Sequence, residues 1–205
     1  MRFRIVDLLF PPREDERIVR ELTADAFVAL LAPRRVQTTS PETLVLLPFS
    51  DARVRAVVHE AKYHGNERAF ALLASALETY LRGAEAVHPE PAAILMPVPL
   101  GRARRRERGF NQAEEVARRA AALRGMRIDP TLLVRIRETE SQVSLQRARR
   151  LENMRGAFRA PRPLDPAYLY MVLDDVMTTG ATLQAAIDAL RARGARRILP
   201  IALAH

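Results

Sequence analysis

Two adjacent carboxylates, Asp174 and Asp175, stand at the end of an apolar run and are followed at once by Val176-Met177-Thr178-Thr179-Gly180-Ala181-Thr182. The run Met171-Val172-Leu173 reads as a buried strand. Leu183, Ile187 and Leu190 recur at the spacing of a helix with one face on the core. The acids and the small-residue loop therefore sit where a strand hands over to a helix. A helix N-terminus there offers unpaired N–H groups and a partial positive charge, which suits a phosphate. Thr178, Thr179 and Thr182 add hydroxyls, and Gly180 and Ala181 keep the backbone open to an anion. The acids would repel that phosphate unless they faced something else, such as ribose hydroxyls or a magnesium ion that reverses the local charge. The pattern suits a ribose phosphate, with phosphate on the loop and diol on the acids. No Gly-Lys-Ser/Thr follows the glycine, so the loop is not a Walker A element. An ordinary strand, turn and helix with polar caps is the plainer alternative.

A second group follows Met96-Pro97-Val98-Pro99. Arg102, Arg104, Arg105, Arg106 and Arg108 crowd a basic loop from Gly101 to Gly109, ahead of Phe110, Asn111 and Gln112. Guanidinium forks pair with diphosphate oxygens, and Arg102, Arg105 and Arg108 are the candidates for that task. Asn111 and Gln112 fall at the expected start of a helix. A solvated basic turn is the other reading of the loop. The charged stretch 135–158 reads equally as a mobile lid or as a surface helix hairpin.

Composition narrows the classes. The chain has 205 residues, 48% of them hydrophobic, and a net charge of +9 carried almost wholly by arginine. A basic surface suits phosphate-rich partners, nucleic acid included. Cysteine is absent, which removes disulfides, zinc-thiolate sites and cysteine nucleophiles. The four histidines show no paired metal-ligand spacing, and His59 and His64 are five apart, so no protein-bound metal is expected. No apolar run is long enough to span a membrane, and charge interrupts the first residues too early for a signal peptide, so a cytoplasmic location is expected.

The positioning elements alternate. Residues 1–43 read as an N-terminal helical appendage, with a helix over 14–32 bearing Val19, Leu22, Ala26 and Leu30, and a polar linker at Gln37 to Pro41. Residues 44–205 form the main domain. Helical stripes at Val54, Val57, Val58 and Ala61, at Phe70 to Leu81, and at Val116, Ala120 and Leu123 alternate with strands at Leu44 to Leu47, Ala93 to Met96, Leu132 to Val134, Tyr168 to Leu173 and Ile198 to Leu203. Gly83 to Pro91 reads as a loop, and Pro200 puts the last strand at an edge. The fold class is α/β, a mostly parallel sheet flanked by helices.

The string from Asp174 to Thr182 resembles the signature of type I phosphoribosyltransferases. With Pro-Val-Pro-Leu, Arg-Gly-Phe-Asn-Gln, Arg-x-Thr-x-x-Gln and Arg-Arg-x-x-Asn-x-x-Gly-Ala-Phe in order ahead of it, the chain from about residue 44 onward resembles the ComF family of phosphoribosyltransferase-like proteins. Glu60-Ala61-Lys62-Tyr63-His64-Gly65 looks like that family's Lys-Tyr-x-Gly element, and Lys62 is the only lysine of the chain. The resemblance implies binding of phosphoribosyl diphosphate, with magnesium carried on the diphosphate, and a link to competence and DNA uptake. Transfer of phosphoribosyl with release of diphosphate would place Asp174 and Asp175 on the ribose hydroxyls; no motif identifies an acceptor. The rival is a module without turnover that binds a nucleotide or single-stranded DNA, in company with DNA-uptake proteins. The family's N-terminal zinc module has no counterpart: Asp7-Leu8-Leu9-Phe10-Pro11-Pro12-Arg13 looks like its lead-in, but no cysteine follows.

Overall fold

The structure, a computed structural model, describes residues 13–87, 92–138 and 152–205. The lead-in before Arg13, the end of the expected 83–91 loop and the middle of the charged stretch lie outside them.

Helices α1 (Glu14–Glu21) and α2 (Ala24–Val28) precede β1 (Arg34–Val36), β2 (Thr43–Leu47), α3 (Ala52–His64), α4 (Glu67–Val87) and β3 (Ala93–Pro97). Then come α5 (Arg102–Arg108), α6 (Gln112–Arg124), β4 (Arg127–Ile128), β5 (Val134–Arg135), β6 (Phe158–Arg159), β7 (Leu169–Val176), α7 (Ala181–Arg191) and β8 (Arg197–Ala204). The main sheet runs β1-β2-β8-β7-β3-β4, and β5 and β6 form a separate antiparallel pair. Among the described residues, only the β1–β2 pairing in the main sheet is antiparallel. The expected α/β architecture with a mostly parallel, helix-flanked sheet is borne out.

Strand alternation divides the apolar runs between two cores. Leu44, Leu46, Leu95, Met171, Leu173, Ile201 and Leu203 pack toward α1 to α4 and α6. Val45, Ile94, Met96, Tyr170, Val172 and Ala202 pack toward α7 and residues 154–164. Both faces are covered, so these strands are apolar almost throughout.

Several local expectations change. The single helix over 14–32 is two, because Leu22 leaves helical geometry and the Thr23 hydroxyl accepts the N–H of Ala26 at 3.2 Å to cap a new start. Helix α4 continues through Gly83, expected in a loop, as far as Val87. The basic loop at 101–109 is helix α5, closed by Gly109 at φ +80°. Leu132 and Leu133 are buried in a bend, and the strand begins at Val134. Leu123 is 65% exposed and off the core stripe. Strand β8 is interior, between β2 and β7, and not an edge. Its pairing with β2 starts at Ile201, one residue past Pro200, so the proline removes no rung on that side.

Residues 37–41 run from β1 back to β2 across the β7–α7 junction. The Thr38 hydroxyl lies 3.2 Å from Met177 Sδ, and Ser40 N donates to Gln184 Oε1 at 2.8 Å.

Candidate ligand cleft at the carboxyl edge of the sheet

The chain leaves β3 for α6 on one face of the sheet and leaves β7 for α7 on the other. Adjacent strands whose connections diverge in this way leave a crevice at their carboxyl ends, where open parallel sheets bind ligands. The crevice here is an open cleft of about 340 Å³, with Asp174, Asp175, Val98 and Pro99 along it. A smaller hollow of about 30 Å³ adjoins it, lined by Asp174 and residues 176–183.

Alternation along β7 sends the two acids to different partners. Asp174 shares the parity of Tyr170 and Val172, the α7 side, and lines the loop hollow. Asp175 shares the parity of Met171 and Leu173, the side of α3 and α6. Its Oδ2 takes a short hydrogen bond from Gln112 Nε2 and lies 3.4 Å from Lys62 Nζ. Its Oδ1 accepts Val176 N at 2.7 Å, while Asp174 Oδ1 accepts Asp175 N at 2.9 Å. Burial and the neighbouring charge of Asp175 push Asp174 up to about 8. Burial also works against ionisation of Asp175, but Lys62, Val176 N–H and Gln112 outweigh it and hold this acid below the usual range. The two acids are thus driven apart in acidity, Asp174 toward its protonated form and Asp175 toward its ionised form.

Gly180, the residue before α7, has φ +77°, a left-handed setting that favours glycine. A Cβ there would lie 2.8 Å from Thr38 Oγ1 and 3.0 Å from Thr38 Cβ. Residues 37–39 therefore close the back of the loop, and Thr179 Oγ1 accepts Ala181 N at 3.4 Å inside it. The N-terminus of α7 opens toward the hollow and the acids.

The structure brings Lys62, Arg108, Asn111, Gln112, Asp174, Asp175, Thr178 and Thr182 around one cleft, with Thr179, Gly180 and Ala181 in the adjoining hollow. It leaves Arg102 and Arg105 outside. Arg102 gives its backbone N–H to Glu138 at 2.7 Å, and Arg105 turns to Glu114 at 3.4 Å. Arg104 and Arg135 line the cleft instead. Arg104 and Arg108 are four residues apart on α5 and so share a helical face, a signal available once the segment is read as a helix. Arg135 comes from β5 and carries no local signal. Burial, followed by the like charge of Arg104, lowers the pKa of Arg135, with Glu138 and Asp174 acting the other way.

Asn111 and Gln112 serve the frame of the cleft. Asn111 caps α6 by accepting Ala113 N at 3.2 Å and ties it to the β3 exit by donating to Val98 O at 2.9 Å. Gln112 links Arg108, which donates to its Oε1 at 3.0 Å, to Asp175. Phe110, which follows the basic segment, packs edge-on against Phe70 at 5.5 Å. Among the described residues, Tyr63 is an exposed aromatic near the cleft, with the Arg108 guanidinium 5.2 Å above its ring.

His59, Glu60 and His64 place ligand-type atoms within 4.8 Å of one another, a grouping their spacing did not suggest. Glu60 is held by Arg13 and Asn66, and His59 Nδ1 by Asp15 at 2.8 Å.

Fold and site together define an α/β protein with an acidic strand end facing a small-residue loop at a helix N-terminus. No family model matches the chain. It is 31% identical over 144 residues to the DNA utilization protein YhgH of Salmonella typhi, a match covering 69% of this chain and 63% of that protein. It is also 31% identical over 130 residues to competence protein F of Haemophilus influenzae, covering 62% of this chain and 56% of that protein. These homologues bear out the ComF resemblance, and the chain aligns with less than two thirds of their length. Among solved structures, adenine phosphoribosyltransferase from Leishmania tarentolae is similar with a TM-score of 0.46 and 12% identity, over 84% of this chain and 94% of that one. Among the described residues no helix is long and apolar enough to cross a membrane.

Proposed function

We propose that the cleft binds phosphoribosyl diphosphate or a related ribose phosphate, and that the protein transfers the phosphoribosyl group to an acceptor, releasing diphosphate, in the context of DNA uptake. The observation that carries this reading is the division of labour at the end of β7. An acid pair of divided acidity sits beside a loop of small and hydroxyl residues at a helix N-terminus, with Arg104, Arg108 and Arg135 lining the same cleft. The loop receives the 5′-phosphate, the acids receive the ribose hydroxyls, and the arginines meet the diphosphate. Ionised Asp175 favours positive charge developing on the sugar as diphosphate departs. Adjacent carboxylate oxygens are also a hard donor set that suits magnesium. A magnesium ion carried on the diphosphate would be faced by Asp174 and Asp175 and would neutralise the leaving group.

Calorimetric titration with magnesium phosphoribosyl diphosphate tests the reading. Saturable binding by the wild type that disappears in Asp174→Asn/Asp175→Asn supports it, and no binding by the wild type overturns it. Release of diphosphate with a purine or pyrimidine base would then establish turnover.

A second reading, a module for single-stranded DNA, is favoured by the outward arginines Arg102, Arg105 and Arg106 of α5, all exposed, and by the names of the relatives. Phosphate contacts of this kind give strongly salt-dependent affinity.

A further inference from the structure

Helix α1 rests on α3 through a buried charge. Glu60 of α3 is fully buried. Its carboxylate accepts Arg13 Nε at 3.2 Å and Arg13 Nη2 at 3.1 and 3.2 Å, and takes Asn66 Nδ2 at 3.0 Å. His64 Nε2 lies 3.8 Å away. The Glu60 carbonyl accepts the N–H of Gly65, which caps α3 at φ +58°, and that of Asn66 at 3.2 Å. One residue thus fixes the corner between α3 and α4 by side chain and main chain. Lys62 lies on one side of that corner. On the other, Gly65 abuts Phe110 so closely that a Cβ would come within 3.0 Å of its ring. Phe110 leads directly into Asn111 and Gln112, and both Lys62 and Gln112 reach Oδ2 of Asp175.

We propose that Arg13 is a positioning residue of the cleft: by pairing with buried Glu60 it holds the α3–α4 corner in the one setting from which Lys62 and Gln112 together engage Asp175. A buried carboxylate without its cation must admit water, move or take up a proton, and each of these loosens the corner. The close approach of Arg13 also makes the His59, Glu60 and His64 group an anchor for α1, because the guanidinium already satisfies the carboxylate a cation would need. The consequence for ligand affinity rests on the phosphoribosyl reading; the consequence for Lys62 does not.

Lys62 is the only lysine, so an amine-reactive ester followed by peptide mass mapping reads its seat directly. Arg13 is about half exposed, so Arg13→Gln leaves no cavity in the core. In Arg13→Gln, Lys62 is expected to label about 5–10-fold faster than in wild type, as suits a coupling carried through the shared α3–α4 corner. Arg13→Lys, whose added amine falls in a separate peptide, restores most of the protection. Ile187→Val, a core change on the opposite face of the sheet, controls for general destabilisation and labels at the wild-type rate. In parallel, Arg13→Gln weakens magnesium phosphoribosyl diphosphate by about the same factor, well below its melting temperature. Equal Lys62 labelling in wild type and Arg13→Gln overturns the proposal. If the wild type fails to bind the ligand, the functional reading falls while the labelling still decides the role of Arg13.

Discussion

Lys62 Nζ stands 3.4 Å from Asp175 Oδ2, joining α3 to the carboxyl end of β7 inside the cleft. This pair decides how charge is divided between the two acids. Lys62 and Gln112 favour ionised Asp175, while burial, and then the charge of Asp175, favours the protonated form of Asp174. One acid then accepts hydrogen bonds while its neighbour can also donate one, which suits a sugar diol.

Removing the ammonium leaves Asp175 with less compensation in a site only 15% exposed at this side chain. Lys62→Met is expected to weaken binding of magnesium phosphoribosyl diphosphate by about tenfold or more, or roughly 1.4 kcal/mol. Lys62→Arg should recover little, because a planar fork does not replace a compact ammonium on one oxygen. Titration calorimetry on both variants checks this, and wild-type affinity in Lys62→Met would remove Lys62 from the site.

Asp174 gives a pH signature of stability. Its folded pKa lies above the ordinary carboxylate value of about 4, so the folded state holds a proton that the unfolded chain releases. The stability this supplies is full below about pH 4, declines as pH rises and is gone once pH passes about 8. Asp175 acts in the opposite sense: its contribution is present above the ordinary value and is lost as pH falls through its lowered pKa. Asp174→Asn keeps a neutral side chain throughout. The variant's unfolding free energy relative to wild type should therefore rise from pH 4 to pH 9, reaching a gain of about 1–3 kcal/mol at the alkaline end. Thermal unfolding across that range measures it, and a difference that stays flat would show that Asp174 ionises as an ordinary carboxylate.

Gly180 cannot accept a side chain without moving Thr38. Gly180→Ala combines a disfavoured φ of +77° with a 2.8 Å contact, and should cost about 1–3 kcal/mol and reduce ligand affinity. Gly83→Ala is the control. It lies in α4 with nothing within 4 Å of the added methyl and should raise stability by about 0.5–1 kcal/mol. Urea unfolding of both variants separates the two cases.

The outward arginines of α5 make the DNA reading quantitative. If Arg105 and Arg106 contact phosphates of a single strand, replacing both with glutamine should lower the slope of log affinity against log salt by about 1.4, at about 0.7 per contact. Fluorescence anisotropy with a labelled oligonucleotide at several salt concentrations reads the slope, and an unchanged slope places any DNA contact elsewhere.

Contiguous features were legible in the sequence. The apolar run ending at Asp174, the Thr178 to Thr182 loop and the amphipathic helix behind it are each local, and strand, turn and helix follow from residue type and period. The covered parallel sheet was legible for the same reason, since apolar strands alternated with helical stripes. Local signals misled where a neighbour decided the outcome. Pro200 suggested an edge, but β2 pairs only from Ile201 on. The arginine run suggested a loop, but it folds as α5 with Arg104 and Arg108 on its cleft side.

What the chain specifies on its own is a phosphate-accepting loop and two acids at the end of a strand. Only the tertiary structure sets Lys62 and Gln112 on one of them and seals the back of the loop with Thr38. Those contacts join segments far apart in the chain, and no local period or propensity encodes them. The raised pKa of Asp174 is in large part a tertiary property, because its chief cause is burial, which exists only once the sheet and helices have closed around the cleft.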